Sequence, residues 1–170
     1  MQTIAVISDT HGNRGLMDKV ISFIKSIHRA DAMFHLGDSY ADGIYMKEQL
    51  SIKSIVVPGI YCDEYGDIHI PNVAEEEICG KQTALVHCLK DCKELKDYDI
   101  VFCGHTHIPD IAEKDGTLII NPGHLKEEFS KGRAYSYGLL KIKDSKLIFE
   151  WYHPCETPIL CRREVLEGLY

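Results

Sequence analysis

The first third of the chain alternates short apolar runs with segments of helical periodicity, and this alternation constrains the fold more than any other feature. The runs Thr3–Ser8, Ala32–Leu36 and Ile52–Val57 are rich in β-branched residues and predict buried strands. Apolar residues with helical spacing from Leu16 to Ile27, and again over Ala41–Leu50, predict a helix after each of the first two strands. The resulting βαβαβ order predicts a sheet with helices packed on its outer face.

The remainder of the chain has mainly the pattern of strands joined by tight turns. Gly80-Lys81 predicts a hairpin with Gln82–Val86 as its second strand. The other predicted elements are a short helix near Lys90–Lys96 and strands at Asp99–Cys103, Asp110–Lys114, Thr117–Ile120, Tyr135–Ile142 and Leu147–Trp151. Because each sheet must bury an apolar face, the predicted fold class is α/β (α+β), as a four-layer αββα sandwich of two mixed β-sheets.

The pattern of strands stops after His153. Pro154 and Pro158 interrupt the tail, and Arg162–Glu167 has the spacing of a helix stopped by Gly168. We expect this tail to pack loosely or against another subunit, as in a homo-oligomer. No linker divides the chain, so residues 1–170 are predicted to form a single domain.

Charge and composition exclude several classes of protein. The 19 basic and 26 acidic residues give a net charge of -7, which disfavours binding to long nucleic acids. No run approaches the ~20 apolar residues that a membrane span requires, and the first strand begins too soon after Met1 for a signal peptide. The seven cysteines are an odd number and predict free thiols, so we expect a cytoplasmic protein.

Four of the predicted strands end in residues that could bind metal, and these residues are Asp9, His11, Asp38, His87, His105 and His107. Loops at the carboxyl ends of such strands face a common crevice, so we expect the six side chains to converge. Imidazole and carboxylate ligands suit manganese, nickel, zinc, iron or cobalt. Six ligands are too many for one open mononuclear site, so two divalent ions are predicted, with Asp38 as the bridging carboxylate.

Two such ions favour one kind of chemistry. Ions roughly 3.5–4 Å apart hold the attacking and leaving oxygens at phosphorus, and they lower the pKa of bound water toward ~7. The pattern therefore predicts hydrolysis of a small phosphate ester, with Asp38 at the centre of the reaction.

Each of these residues also has an ordinary structural interpretation. Asp9 could belong to a turn, Asp38 could be the N-cap of the second helix, and His87 could be a core histidine. A structural zinc site at His87, Cys88 and Cys92 is a weaker hypothesis, because closed zinc sites need four ligands. The ordered occurrence of all six candidates favours the metal centre.

The motifs Asp9-Thr10-His11, Gly37-Asp38, His87 and Gly104-His105-Thr106-His107 resemble those of the calcineurin-like metallophosphoesterase superfamily, in particular its compact bacterial and archaeal phosphodiesterases. The resemblance extends through Asn121-Pro122-Gly123 and implies the same αββα fold. It also implies manganese or nickel as the activating metal. By the same resemblance one ion is bound by Asp9, His11 and His107 and the other by His87 and His105, with Asp38 bridging.

The chain differs from the family pattern in its third ligand loop. The family supplies an Asn to the second ion after the third strand, where this chain has Gly59-Ile60-Tyr61-Cys62-Asp63, and Asp63 or Asp67 are the candidate substitutes. The missing Asn favours a second hypothesis, a catalytically weak or inactive protein-binding scaffold, because a retromer subunit of the same fold uses its surface for protein contacts.

The residues that handle the substrate are less clearly indicated. The chain lacks the His that serves larger family members as general acid, and His124 is the candidate proton donor, with a surface loop histidine as the alternative. Arg133 is the candidate for binding the substrate phosphate, because a guanidinium can donate two parallel hydrogen bonds to it.

Overall fold

Hydrogen bonding joins the strands into two main sheets in the computed structural model, which describes residues 1–166. The two α-helices are α1 (Arg14–Phe23) and α2 (Tyr40–Leu50). The strands are β1 (Gln2–Ile7), β2 (Ala32–His35), β3 (Lys53–Val56), β4 (Val73–Ile78), β5 (Lys81–Val86), β6 (Ile100–Cys103), β7 (Asp110–Lys114), β8 (Thr117–Asn121), β9 (Phe129–Ser130), β10 (Arg133–Ala134), β11 (Tyr137–Lys143), β12 (Lys146–Pro154) and β13 (Pro158–Val165).

Both sheets are mixed, as predicted. The first has the order β13-β12-β11-β1-β2-β3, in which β1, β2 and β3 are parallel and β11 runs antiparallel to β1. The second has the order β4-β5-β6-β8-β7, with β5, β6 and β8 parallel. The short strands β9 and β10 pair only with each other and were not predicted. The parallel strands of both sheets therefore present several loops at their carboxyl ends.

The sheets pack face to face around an apolar core. Phe34 and Phe149 of the first sheet lie against Phe102 of the second, with ring centroids 6.2 and 5.7 Å apart. Trp151 Nε1 donates across the interface to the carbonyl of Asn121 at 2.8 Å. A second cluster of buried residues, which includes Met17 of α1, fills the space between the helices and the outer face of the first sheet. The predicted αββα sandwich is confirmed.

The layer outside the second sheet consists of two 3₁₀-helices, Leu89–Asp91 and Leu95–Asp97, and the predicted helix over Lys90–Lys96 is wrong. Leu89 and Leu95 pack on a small cluster on this outer face of the sheet. The segment between the end of β5 and the start of β6 has to return along the length of these parallel strands in few residues. A 3₁₀-helix rises ~2.0 Å per residue against ~1.5 Å for an α-helix, so it covers this distance with a shorter segment.

The tail continues the first sheet, which corrects the expectation that it has no strands. β12 extends to Pro154, and β13 pairs antiparallel with it. The helical spacing of Arg162–Glu167 is therefore misleading up to Val165, while Glu167 and Gly168 lie outside the described residues. Five consecutive residues of β13 are exposed because it is an edge strand, so it lacks the alternation of a half-buried strand. Among residues 1–166, no helix is long and apolar enough to cross a membrane.

Candidate metal centre

Two groups of donor atoms converge where the loops after β1, β2, β5 and β6 meet. The first group is Asp9, His11 and His107, and the second is Asp9, Asp38 and His87. Within each group the donor atoms all lie within 4.8 Å of one another, and Asp9 belongs to both. His105 lies beside the second group, with its ring centroid 5.2 Å from that of His87. The structure thus brings five of the six predicted ligands into two adjoining groups and places the sixth next to them.

The first group forms a partly open pocket for a cation. His11 Nε2 and His107 Nε2 face each other at 3.1 Å, and His107 Nε2 lies 3.2 Å from Asp9 Oδ1. Asp9 and His107 are buried, with exposed fractions of 1% and 5%, whereas the His11 side chain is 31% exposed. The group therefore has a buried floor and one ligand at a solvent-facing mouth.

Asp38 connects the two groups. Its Oδ2 accepts a hydrogen bond from the backbone N–H of His11 at 3.1 Å and lies 3.2 Å from His11 Nδ1. The alternative in which Asp38 caps the second helix is wrong, because the N-cap of α2 is Ser39, whose hydroxyl accepts from the Asp42 N–H. Asp9 is the carboxylate common to both groups, and a bridging role for Asp38 stays a prediction.

Hydrogen bonds outside the two groups fix the orientation of the ligands. His87 Nδ1 donates to the carbonyl of Leu36 at 2.9 Å, which leaves Nε2 free for a metal. His107 Nδ1 is hydrogen-bonded to Ser130 Oγ at 2.9 Å. Asp9 Oδ2 accepts from the Ser8 hydroxyl at 2.6 Å and from the His105 N–H at 2.9 Å. Contacts of this kind are typical of residues that hold a metal ion.

The loop after β1 has a further support that sequence reasoning missed. Asp42 is buried in α2, and its Oδ2 accepts hydrogen bonds from Thr10 Oγ1 at 2.8 Å and from the Gly12 N–H at 2.7 Å. These two bonds hold the Thr10 side chain and the Gly12 backbone, on either side of His11. Asp42 follows Thr10 by 32 residues and Gly12 by 30 residues in the sequence. No local motif therefore indicates the contact.

Five of the six candidate ligands have left-handed backbone conformations. The φ angles are 54° at Asp9, 46° at His11, 84° at Asp38, 66° at His105 and 64° at His107. A residue other than glycine in this region costs about 1–2 kcal/mol. Such conformations are concentrated at functional sites, where the surrounding structure maintains them. Their occurrence at these residues is independent support for a ligand-binding centre.

Two glycines allow the loops to approach the ligands closely. A Cβ atom at Gly104 would lie 2.7 Å from Asp9 Oδ2, and one at Gly59 would lie 2.6 Å from the backbone N of Asp38. Any larger residue would displace the carboxylate or its loop. This explains why a glycine directly precedes the His105-Thr106-His107 segment.

The electrostatic environment favours the protonation states that metal binding requires. Burial acts to raise the pKa of Asp9, but hydrogen bonding to His107 and the neighbouring imidazoles hold that pKa below its usual value. Burial lowers the pKa of His105 and, against the effect of nearby Asp38, that of His11. An ionised carboxylate and neutral imidazoles are the forms that coordinate a cation. The donor set therefore fits divalent metals.

Other candidates from the sequence lie outside the two groups. Arg133 lines a groove with Tyr135 and His153, and its carbonyl lies 3.2 Å from His124 Nε2. The interpretation of His124 as a surface histidine is wrong, because it is fully buried with its ring centroid 5.3 Å from that of His107. Asp63 and Asp67 are exposed and belong to neither group.

The cysteines do not form a metal site. Among residues 1–166, no group of converging donor atoms includes a cysteine, so the structural zinc site at His87, Cys88 and Cys92 is wrong. Cys92 is instead buried in the outer apolar cluster of the second sheet, where burial raises the pKa of its thiol to about 11.

An αββα sandwich that gathers aspartates and histidines at its strand ends has the architecture of a metallophosphoesterase. A family model for the calcineurin-like phosphoesterase superfamily domain matches residues 2–145, and the chain belongs to this superfamily. A probable metallophosphoesterase of Mycoplasma pneumoniae is 24% identical over 160 residues, which cover 90% of this chain and 98% of that protein.

Two solved structures show the same fold. The phosphoesterase Yfce of E. coli matches with a TM-score of 0.75 and 19% identity. The match covers 98% of this chain and 100% of that one. Wild-type Vps29 of Entamoeba histolytica, solved in complex with Zn²⁺, matches with a TM-score of 0.70 and 20% identity over 96% of this chain and 99% of that one.

Proposed function

We propose that the protein is a metal-dependent phosphoesterase with a dinuclear centre that hydrolyses phosphodiester or phosphomonoester bonds of small molecules. The observation that carries the proposal is the pair of donor groups that share Asp9. Two adjoining groups support two ions at close range, which is the arrangement suited to displacement at phosphorus.

The ligands divide between two ions in this proposal. Asp9, His11 and His107 would hold the first, and Asp38, His87 and Asp9 would hold the second with His105 beside them, Asp38 being the predicted bridge. Divalent ions bound there would supply an activated water and neutralise charge on the phosphate. Manganese and nickel are the first candidates. Zinc is a further one, supported by the Zn²⁺ complex of the similar Vps29 structure, and iron and cobalt also suit the ligands.

The chain's own residues position the reactants. His11 and Asp38 lie at the mouth of the centre, with side chains 31% and 16% exposed, so a phosphate enters past them. His124 is poorly arranged for the predicted role of proton donor, because its Nε2 faces a carbonyl and its Nδ1 meets no hydrogen-bond partner among residues 1–166. These contacts favour Nε2 as the protonated nitrogen and Nδ1 as an acceptor, and we propose that the leaving oxygen takes its proton from water.

The proposed location is the cytoplasm. All seven cysteines are unpaired, which supports a reducing compartment. The net charge of -7 supports small phosphate esters over long nucleic acids as substrates.

The scaffold hypothesis is the second candidate function, and the loop after β3 is the observation that favours it. Neither group contains a residue from Gly59 to Asp63, so among residues 1–166 no carboxylate, imidazole or thiol of this loop converges on the second group. A scaffold would keep the fold and bind metal without turnover.

The deciding experiment is hydrolysis of bis(p-nitrophenyl) phosphate and p-nitrophenyl phosphate by metal-stripped protein after addition of manganese, nickel or zinc. Asp38→Asn is assayed in parallel. Turnover that requires metal and is lost in the variant supports the phosphoesterase. Equal inactivity of both proteins with every metal, despite metal binding by the wild type, favours the scaffold.

A further inference from the structure

A two-residue hairpin turn places a lysine beside the metal centre. Ser130 pairs with Arg133, so Lys131 and Gly132 form the turn between β9 and β10. Their φ angles are 48° and 75°, both in the left-handed region that type I′ turns require. Asn, Asp and Gly are the residues favoured at these positions, because they tolerate this conformation. Lys131 is therefore held at a position that a lysine adopts only at a cost.

Hydrogen bonds attach this hairpin to the ligand loop after β6. Ser130 Oγ bonds to His107 Nδ1, and Lys131 Nζ donates to the carbonyl of His105 at 3.1 Å. On the other strand, His124 Nε2 lies 3.2 Å from the carbonyl of Arg133. The turn is thus fixed with its ammonium group against the segment that carries two of the predicted ligands.

The charge of Lys131 is not balanced by an acidic side chain. Among residues 1–166, no carboxylate forms an ion pair with its Nζ, whereas Lys53, Lys81 and Lys141 each pair with an Asp or Glu. Its hydrogen-bond acceptor is a neutral carbonyl. An exposed and uncompensated cation beside a metal centre, in a chain with a net charge of -7, is suited to attracting an anionic ligand.

We propose that Lys131 contacts the substrate phosphate and gives the centre a preference for phosphate monoesters over diesters. This inference rests on the proposed phosphoesterase function. A monoester carries close to two negative charges near pH 7, because its second pKa is about 6, whereas a diester carries one. The ammonium group therefore attracts the monoester more strongly. Arg133, the candidate from sequence, lies on the same hairpin but lines the groove beside Tyr135 and His153.

The test compares kcat/KM for p-nitrophenyl phosphate and bis(p-nitrophenyl) phosphate in manganese-loaded wild type, Lys131→Met and Lys131→Arg. We expect Lys131→Met to lose roughly tenfold on the monoester, mainly through KM, and about twofold on the diester. Lys131→Arg retains the charge and most of the preference. Lys114→Met is the matched control, because Lys114 pairs with Thr117 at the opposite end of β8 from the metal centre.

Other outcomes overturn the inference. An equal loss on both esters, or a monoester-selective loss in Arg133→Met in place of Lys131→Met, contradicts it while leaving the phosphoesterase function intact. Manganese titration of each variant tests for a disturbed His105, since a contact to substrate alone leaves metal affinity unchanged. If the wild type turns over neither ester, calorimetry with inorganic phosphate decides: binding that Lys131→Met weakens roughly tenfold supports the contact, and unchanged or absent binding overturns it.

Discussion

The two donor groups of the metal centre differ in how completely the chain builds them. The first group combines Asp9, His11 and His107, and hydrogen bonds from Ser8, Ser130 and the Asp42 network support its side chains. The second group shares Asp9 and adds Asp38 and His87, but no carboxylate, imidazole or thiol from the described loop after β3 joins it, and His105 remains beside it. We infer that the first ion binds more tightly and that the second is the variable one.

The largest expected effect comes from the carboxylate that both groups share. Asp9→Asn removes the negative charge that both proposed ions share, so we expect kcat/KM to fall by more than about 100-fold, since changing an outer contact already costs roughly 10–100-fold. Stabilisation of the fold by added manganese disappears as well. Steady-state assays and thermal unfolding measure the two effects. Asp115→Asn, in the β7–β8 turn, is the control, and retention of metal-dependent stabilisation by Asp9→Asn would contradict the shared position.

The sequence predicts the candidate ligands of both groups but not the residues that support them. Ligands that directly follow apolar strands, such as Asp9, Asp38 and His107, were predicted because strand ends and ligand types are both visible locally. The supports Asp42 and Ser130 were not, because they meet their partners across separations of 30 and 23 residues. Sequence favours Asp38 as the bridge, which stays a prediction, and the structure adds that Asp9 belongs to both groups.

The same limit applies to the fold. The buried strands β1, β2 and β6 were predicted, because continuous apolar runs mark them. The edge strand β13 was missed, because its residues are mostly exposed and it is specified by hydrogen bonds to β12. The hairpin of β9 and β10 was also missed, because its turn carries Lys131 where Asn or Gly is usual.

Removing one candidate ligand from each group in turn tests whether the two groups differ in metal affinity. His87→Ala leaves the first group intact, and His11→Ala leaves the second, so each variant is expected to bind one ion in place of two. The ion left in His87→Ala should bind at least about tenfold more tightly than the ion left in His11→Ala, because the Asp42 network fixes the loop that carries His11 and no carboxylate or imidazole of the described loop after β3 joins the second group. Manganese titration by calorimetry gives both numbers. Equal affinities in the two variants would show that the outer contacts do not distinguish the groups.

The Asp42 network tests whether support of the first group acts through the loop. Asp42→Ala removes the acceptor of the Thr10 hydroxyl and the Gly12 N–H, so His11 is less firmly positioned. We expect an affinity loss of about tenfold for the first ion and little change for the second. The measurement is the same titration in Asp42→Ala and in Asp42→Ala/His87→Ala. An equal weakening of both ions would assign Asp42 a general structural role.

The smallest expected effect is a gain, from restoring an amide ligand after β3. Gly59 packs directly on the backbone of Asp38, and half-buried Ile60 follows it, at the place where a Gly-Asn pair would put its Asn. Ile60→Asn should tighten the second ion by a few-fold, less than the roughly 10–100-fold cost of losing an outer contact. Tyr61→Asn is the matched control, because Tyr61 is 88% exposed and its side chain faces solvent. If Tyr61→Asn tightens binding of the second ion and Ile60→Asn does not, the loop presents residue 61 to the metal. The second group then lacks a ligand because the residue at that position is a tyrosine. If neither variant changes the binding of the second ion, the loop lies too far from the ion for any residue to complete the group, and the inequality of the two groups is built into the backbone.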